Sequence, residues 1–266
     1  MHQINVGRLQ IADFSLYYET VGAGPAIVFA HGLGGNHLSW WNQVPYFMRW
    51  FTCVTLDQRG FGLSPDSDGS FNLSHPDDLS RLLDHLEIDR AILVGQSMGG
   101  WTVVGCALKH PDRVAALVMA GTYGGIDLPD LPELRGAAAM PSNFSPPIGS
   151  MPTYARDYFA RSPELAYLYD DLRILGARPP EDAIARIGRL RHPLALVREK
   201  LTMPILCIVG EEDALMPERL IRELAKSLRD SRLVTIPHCG HSTYFECPEV
   251  FNQSLLQFAR SIGFGG

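Results

Sequence analysis

The sequence has few basic residues and no long apolar run. Its 266 residues include 23 lysines and arginines against 29 acidic residues, which gives a formal net charge of −6 at pH 7. No basic stripe is present, so a nucleic acid partner is not expected. No uninterrupted run of roughly 18 apolar residues occurs, and the amino terminus lacks the charged start and apolar core of a signal peptide. We therefore expect a cytoplasmic protein that has no membrane partner.

Cysteine is sparse, and no metal-binding spacing is present. Of the five cysteines, Cys53, Cys106 and Cys207 fall in predicted strands or helices, which favours buried thiols in a reducing compartment over a disulfide. The histidines are dispersed, and neither Cys-x-x-Cys nor His-Glu-x-x-His occurs. We expect no metal and no cofactor. The predicted partner is a small-molecule substrate, and the predicted assembly is a monomer or a homodimer.

The order of apolar runs predicts an α/β fold with one large core. The composition is 46% hydrophobic, enough for a chain of this length to bury a single core. An amino-terminal hairpin is predicted at 4–11 and 14–20. Six further strands are predicted at 26–30, 52–56, 91–94, 114–120, 204–209 and 232–236, with helices near 40–48, 75–86, 98–109, 218–228 and from 248 onward. This alternation indicates a mostly parallel, eight-stranded sheet flanked by helices.

The alternation stops between about residues 123 and 199, where no convincing buried strand occurs. We predict that this segment is an inserted helical cap over the active site, with 1–122 and 200–266 as the core. The early part of the segment, 128–152, is rich in proline and predicts a long irregular entrance loop. The later part, 173–198, has six arginines and two acidic residues. These arginines predict either a clamp for a substrate carboxylate or a solvated helical face.

Residues 93–99 suggest a catalytic serine. They read Leu-Val-Gly-Gln-Ser-Met-Gly, an apolar strand that runs directly into Gly-x-Ser-x-Gly, and a helical pattern follows. On such a tight strand-to-helix turn the hydroxyl of Ser97 is exposed above the sheet, and the turn leaves no room for side chains at Gly95 and Gly99. Ser97 is therefore the candidate nucleophile.

A serine nucleophile requires a base and a carboxylate that orients the base. Asp213 follows the strand at 204–209, and His241 follows the strand at 232–236. The order Ser, Asp, His, with each residue in a loop after a strand, is the order of hydrolases that carry this serine turn. Other candidates remain: Glu211, Glu212 and Asp127 for the acid, and His238 for the base.

Stabilisation of an oxyanion requires backbone amides that point at the developing charge. The strand at 26–30 leads into a glycine-rich turn, His31-Gly32-Leu33-Gly34-Gly35. The amides of Leu33 and Met98 are the candidate donors.

Four motifs together resemble the α/β-hydrolase family over nearly the whole chain. They are the turn at 31–35, Asp-Gln-Arg-Gly-Phe-Gly-Leu-Ser at 57–64, Gly-Gln-Ser-Met-Gly-Gly at 95–100, and Gly240-His241 followed by Glu246 and Pro248. The resemblance implies a Ser97–Asp213–His241 triad, an acyl-enzyme intermediate and water as the usual second substrate. It favours His241 over His238, because the preceding glycine and the following spacing match the family pattern.

The resemblance also implies structural functions for three polar residues and leaves the substrate open. His31 is expected to hold its loop by hydrogen bonds, and Asp57 and Arg59 are expected to form a structural ion pair. Substrate contacts are predicted for four aromatic residues: Trp40, Tyr123, Tyr154 and Tyr158. Trp101 is expected to belong to the core.

The predicted activity is hydrolysis of a small carboxylic ester or lactone. An aspartate would replace Ser97 in epoxide and haloalkane hydrolases of this fold, so the serine argues against both. One alternative is hydrolysis of a carbon–carbon bond in a vinylogous diketone from aromatic ring cleavage, although Ser242 stands where close relatives of that group tend to carry tryptophan. Another is a ligand-binding protein or cofactor-free lyase on the same scaffold.

Overall fold

The structure is a computed structural model that describes residues 3–12, 14–66, 71, 73–131 and 152–265. Except at its two ends, the predicted entrance loop at 128–152 lies outside the described residues.

Eight of the strands form one sheet. In chain order the strands are β1 (Asn5–Ile11), β2 (Phe14–Val21), β3 (Ala26–Ala30), β4 (Thr52–Leu56), β5 (Ala91–Gln96), β6 (Val114–Ala120), β7 (Ile126–Asp127), β8 (His192–Pro193), β9 (Ile205–Gly210) and β10 (Ser231–Ile236). The sheet order is β1-β2-β4-β3-β5-β6-β9-β10. The pairs from β4 to β10 are parallel, and β1 and β2 add an antiparallel edge. The predicted eight-stranded, mostly parallel sheet is confirmed.

The described residues also form ten helices, some of which flank this sheet. They are α1 (Gln43–Phe47), α2 (His75–His85), α3 (Gly99–Lys109), α4 (Tyr158–Arg161), α5 (Pro163–Leu172), α6 (Ala183–Ile187), α7 (Leu194–Lys200), α8 (Glu218–Ser227), α9 (Thr243–Glu246) and α10 (Pro248–Ser261). Every residue of β5 and β6 is buried, which explains why these strands read as continuous apolar runs rather than alternating ones.

The helix predicted at 40–48 is two shorter elements in the structure. A 3-10 turn at His37–Trp40 begins earlier than predicted because the side chain of Asn36 accepts a hydrogen bond from the amide of Leu38 (2.9 Å). A separate helix, α1, follows and has Pro45 in its first turn. Proline lacks the amide hydrogen that a continuous helix would require at this position, so the helix restarts after the turn.

Four of the five cysteines are buried, among them the three predicted to be buried. Burial raises the pKa of the Cys53, Cys106 and Cys207 thiols to about 12. No helix in the described ranges combines the length and the apolarity needed to cross a membrane.

The segment between β6 and β9 carries α4 to α7 and one feature absent from the sequence-based prediction. β7 and β8 pair in parallel as a separate two-stranded sheet. With two residues each, these strands are too short to produce a recognisable periodicity. The boundaries of the cap at 123 and 199 stay a prediction.

Candidate active site

Ser97 lies on the turn between β5 and α3 in a left-handed backbone conformation, with φ = 48°, which costs energy for a residue other than glycine. Its amide donates a hydrogen bond to the carbonyl of Ala120 (3.0 Å). A Cβ on Gly95 would lie 2.5 Å from the carbonyl oxygen of Gly99, and one on Gly99 would lie 2.1 Å from that of Ala30. The two motif glycines are therefore required for the turn to pack against the sheet.

Asp213 and His241 form a buried pair at the ends of β9 and β10. His241 Nδ1 lies 2.8 Å from Asp213 Oδ2, and both side chains are buried. The other oxygen, Asp213 Oδ1, accepts hydrogen bonds from the amides of Leu215 (2.9 Å) and Met216 (2.8 Å). An ionised carboxylate only accepts hydrogen bonds, so Nδ1 carries a hydrogen, and in the neutral imidazole the lone pair is then on Nε2. This is the tautomer that a general base requires.

The His241–Asp213 pair also depends on Gly121, whose backbone passes close to both side chains. This residue has φ = 53°, and a Cβ there would lie 3.1 Å from His241 Nδ1 and 3.3 Å from Asp213 Oδ2. Its amide donates to the carbonyl of Ile208 (2.8 Å). Glycine is therefore needed at this position for both conformation and space.

Glu246 fixes the backbone on both sides of His241. Its Oε2 accepts hydrogen bonds from the amides of Ala155 (2.8 Å) and Gly240 (3.0 Å), and its Oε1 accepts from Ser242 (3.2 Å). Burial raises the pKa of Glu246 to about 7, although the three amides and His241 act in the opposite direction. The sequence pattern includes Glu246, but its spacing alone did not indicate that it binds the histidine loop.

The glycine-rich turn after β3 passes directly against the serine turn. A Cβ on Gly32 would lie 3.2 Å from Ser97 Cβ. Leu33 and Met98 line the same cavity as Ser97 and His241. Within the described part of the chain, neither the Leu33 nor the Met98 amide donates to a protein acceptor, so both are available to a ligand oxygen.

His31 is neutral, and its imidazole ring holds this turn in place through two hydrogen bonds. Its Nε2 accepts a hydrogen bond from the amide of Gln58 (3.0 Å), and its Nδ1 therefore donates to the carbonyl of Gly32 (2.8 Å). Burial lowers the pKa of His31 to about 4. Both ring nitrogens are occupied, so His31 performs the loop-holding function that the resemblance implied.

The cavity at this edge has an empty volume of about 710 Å³, part of it open to solvent. Its apolar wall consists of Met98, Trp101, Ile184, Ile187, Leu215 and Met216, and its polar groups outside the predicted triad are Gln96, Thr153, Tyr169 and Arg173. Five of the lining residues come from the segment between β6 and β9: Thr153, Tyr169, Arg173, Ile184 and Ile187.

The four aromatic residues predicted to contact substrate do not line this cavity. Trp40 is buried between Phe29 and Tyr244, with ring centroids at 5.0 and 4.7 Å. Tyr154 and Tyr158 are buried and pack against each other (5.5 Å). All three side chains belong to one buried apolar cluster, and the lining of this cavity gives no support to the prediction that they contact substrate.

The fourth, Tyr123, packs edge-on against Trp101 (4.7 Å) and accepts a hydrogen bond from Arg191 (2.8 Å). The aromatic side chains that line the cavity are instead Trp101 and Tyr169, so the assignment of Trp101 to the core alone was also incomplete. Trp101 lies in the first turn of α3, directly after the serine turn, and this closeness to Ser97 in the sequence could have identified it. No comparable signal marks Tyr169.

The competing acids and base lie elsewhere. The His238 side chain is 82% exposed, and its Nδ1 lies 3.7 Å from Glu212 Oε1. Glu211 accepts a hydrogen bond from the His238 amide (3.3 Å), so both glutamates face this exposed loop. Asp127 belongs to β7. Of the candidates, only Asp213 and His241 form a buried pair, and His241 lines the same cavity as Ser97.

The expected ion pair between Asp57 and Arg59 is replaced by pairs with other partners. Asp57 accepts a hydrogen bond from His37 Nδ1 (2.8 Å) and another from the amide of Leu63 (2.6 Å). Arg59 binds Asp78 through Nε and Nη2, both at 2.9 Å. These partners come from other elements, which spacing within one motif cannot indicate.

Comparison with known proteins finds similarity over most of the chain. A family described as "Alpha/beta hydrolase family" matches residues 27–254. The 2-(acetamidomethylene)succinate hydrolase of Mesorhizobium japonicum is 26% identical over 265 residues, which cover 94% of each chain. A thermophilic esterase from Thermogutta terrifontis has a TM-score of 0.78 at 26% identity, covering 97% of this chain and 99% of the esterase. A meta-cleavage product hydrolase from Pseudomonas fluorescens IP01 has a TM-score of 0.77 at 25% identity, covering 96% and 98%.

Proposed function

This chain belongs to the alpha/beta hydrolase family, and on that premise we propose that it is a serine hydrolase of a small carboxylic ester or lactone. The observation that carries the proposal is the buried His241–Asp213 pair, with 2.8 Å between Nδ1 and Oδ2, because its histidine lines the same cavity as Ser97. The similarity to a solved esterase supports the same activity.

In the proposed mechanism Ser97 Oγ attacks the ester carbonyl carbon while His241 Nε2 takes the serine proton. The carbonyl oxygen becomes an oxyanion, which the amides of Leu33 and Met98 stabilise. As the tetrahedral intermediate collapses, the C–O bond to the alcohol breaks and His241 returns the proton to the leaving oxygen. Water then attacks the acyl-enzyme with His241 as base, and the acid and free Ser97 are released. Asp213 keeps the imidazole in the required tautomer.

We also propose that residues 123–199 act as a cap that limits the size of the substrate. Tyr169, Arg173 and Ile184 from this segment line the same cavity as Ser97, which supports the assignment. A confined, largely apolar cavity suits a short acyl chain or a small lactone ring.

The test is steady-state hydrolysis of short-chain p-nitrophenyl esters and simple lactones by the wild type and by Ser97→Ala. A matched control is Ser227→Ala, because Ser227 lies at the end of α8 outside the cavity lining. We expect turnover that falls with acyl length, is lost in Ser97→Ala and is retained in Ser227→Ala. A folded wild type without turnover, or a Ser97→Ala variant that keeps it, would refute the proposal.

A second candidate is hydrolysis of a ring-cleavage diketone, which the similarity to a meta-cleavage product hydrolase favours. The same serine and histidine would act in it. Turnover of a vinylogous diketone by an enzyme that leaves simple esters intact would select this candidate over ester hydrolysis.

A further inference from the structure

We propose that the site selects substrates with a carboxylate close to the scissile carbonyl, and that Arg173 binds this carboxylate. The inference rests on the proposed function, because it concerns the same cavity. It specifies the chemical class of the substrate, which neither the serine motif nor the family determines.

The first observation is the position of the guanidinium. Arg173 follows the last residue of α5 and lines the cavity together with Ser97 and His241. Its Nε and Nη2 each lie 3.5 Å from the point that a Cβ on Gly34 would occupy. The cation is therefore packed against the glycine turn that presents the Leu33 amide, next to the predicted oxyanion site.

The second observation concerns the charged residues that line the larger cavity. Among the described residues that line the cavity, Arg173 is the only one with a permanent charge, and no aspartate or glutamate lines it. Asp213 lies behind His241 and is engaged with it. A half-buried guanidinium beside an apolar wall favours an anion, and its planar array of donors matches a carboxylate. Because the chain has a net charge of −6, an anionic substrate needs such a local cation.

The third observation is a second, smaller cavity that shares Arg173 with the first. It has an empty volume of about 320 Å³ and is lined by Ser39 and Tyr244, among others. Leu33, Gln96, Tyr169 and Arg173 border both cavities. Arg173 thus stands between the apolar wall and a more polar space. This arrangement suits a substrate with an apolar group at one end and a carboxylate at the other.

The hydroxyl of Tyr169 adds a second polar group beside the guanidinium. It lies 2.8 Å from the Oγ of Ser242, which donates to it. The Tyr169 hydroxyl then retains its own hydrogen for donation to a ligand oxygen. A carboxylate at this place would accept from both Arg173 and Tyr169.

The experiment compares kcat/KM for two matched pairs of esters. In the first pair the carboxylate is on the acyl side: p-nitrophenyl hemiglutarate against its methyl ester. In the second it is on the leaving group: 4-acetoxybenzoate against methyl 4-acetoxybenzoate. We expect the wild type to prefer the anionic member of one pair, which also identifies the side that faces Arg173.

Arg173→Gln is expected to reduce this anionic-to-neutral ratio by about 10- to 100-fold, the range for one lost charge-assisted interaction. Arg173→Lys is expected to show an anionic-to-neutral ratio between those of the wild type and Arg173→Gln. Lysine keeps the positive charge but lacks the planar pair of donors of the guanidinium. The matched control is Arg189→Gln, an exposed arginine of the same segment, which should retain the wild-type ratio.

A wild type that hydrolyses both members of both pairs equally would overturn the inference while leaving ester hydrolysis intact. So would an Arg173→Gln variant that retains the wild-type ratio. If no ester is turned over, the proposed function fails, and calorimetric binding of monomethyl glutarate against dimethyl glutarate decides the inference separately. Tighter binding of the monoanion that is lost in Arg173→Gln would support it, and equal binding would refute it.

Discussion

Glu246→Gln and His31→Gln are expected to change the pH dependence of stability in opposite directions. Burial raises the pKa of Glu246 from 4.5 to about 7 and lowers that of His31 from 6.5 to about 4. The stabilising contribution of Glu246 is therefore fully present below pH 4.5 and is lost as the pH rises through 7. That of His31 is fully present above pH 6.5 and is lost as the pH falls through 4.

The two contributions are similar in size. At about 1.4 kcal/mol for each pH unit between folded and unfolded pKa values, each amounts to about 3 kcal/mol. As the pH falls from 7.5 to 4.5, the stability gained through Glu246 and the stability lost through His31 largely cancel in the wild type. Over this interval the free energy of unfolding of Glu246→Gln should fall by about 3 kcal/mol more than that of the wild type, and that of His31→Gln by about 3 kcal/mol less.

The assay is urea unfolding at pH 7.5, 6 and 4.5, followed by tryptophan fluorescence. Each variant also loses stability that does not depend on pH. For Glu246→Gln this loss is about 1–3 kcal/mol, because the new amide group would face one of three backbone donors. The comparison therefore uses the slope against pH, with the exposed Glu249→Gln on α10 as the control. Variant curves parallel to the wild type would show that these pKa shifts do not govern stability.

Four further substitutions test the site. Asp213→Asn should lower kcat by about 10³- to 10⁴-fold with little change in melting temperature, since the amide favours the wrong imidazole tautomer; a modest loss would mean that another acid orients the base. His241→Ala should abolish ester hydrolysis and His238→Ala should leave kcat/KM unchanged, and the reverse result would reassign the base. Gly121→Ala should cost at least about 1–2 kcal/mol in urea unfolding and reduce kcat, because its φ is positive and its Cβ would press on the histidine pair; an unaffected variant would show that this turn can relax.

The elements that support the site could be predicted because their signals are local. Strands β3, β4 and β6 have the predicted bounds, since an apolar run that is buried on both faces ends where turn residues begin. Asp213 and His241 could be chosen because each follows such a strand, at the edge where parallel strands bring their loops together.

The walls of the cavity could not be predicted because they depend on contacts between distant parts of the chain. Trp40 and Trp101 are both aromatic residues next to a catalytic motif, yet only Trp101 lines the cavity. Arg173 belongs to a segment whose arginines are equally consistent with a solvated surface, and its packing against Gly34 selects it. The contact of Glu246 with the amide of Ala155 likewise joins two segments about ninety residues apart in the chain.

The buried thiols give this molecule an internal reporter of unfolding. Thiol reagents react with the thiolate, and a pKa of about 12 at Cys53, Cys106 and Cys207 reduces the thiolate population at neutral pH by about a thousandfold relative to an ordinary cysteine. These residues are buried on β4, α3 and β9, so they become reactive only when the elements that cover them open. The rate of alkylation in a crude extract would thus measure how often the whole domain opens, without purification or an added fluorophore.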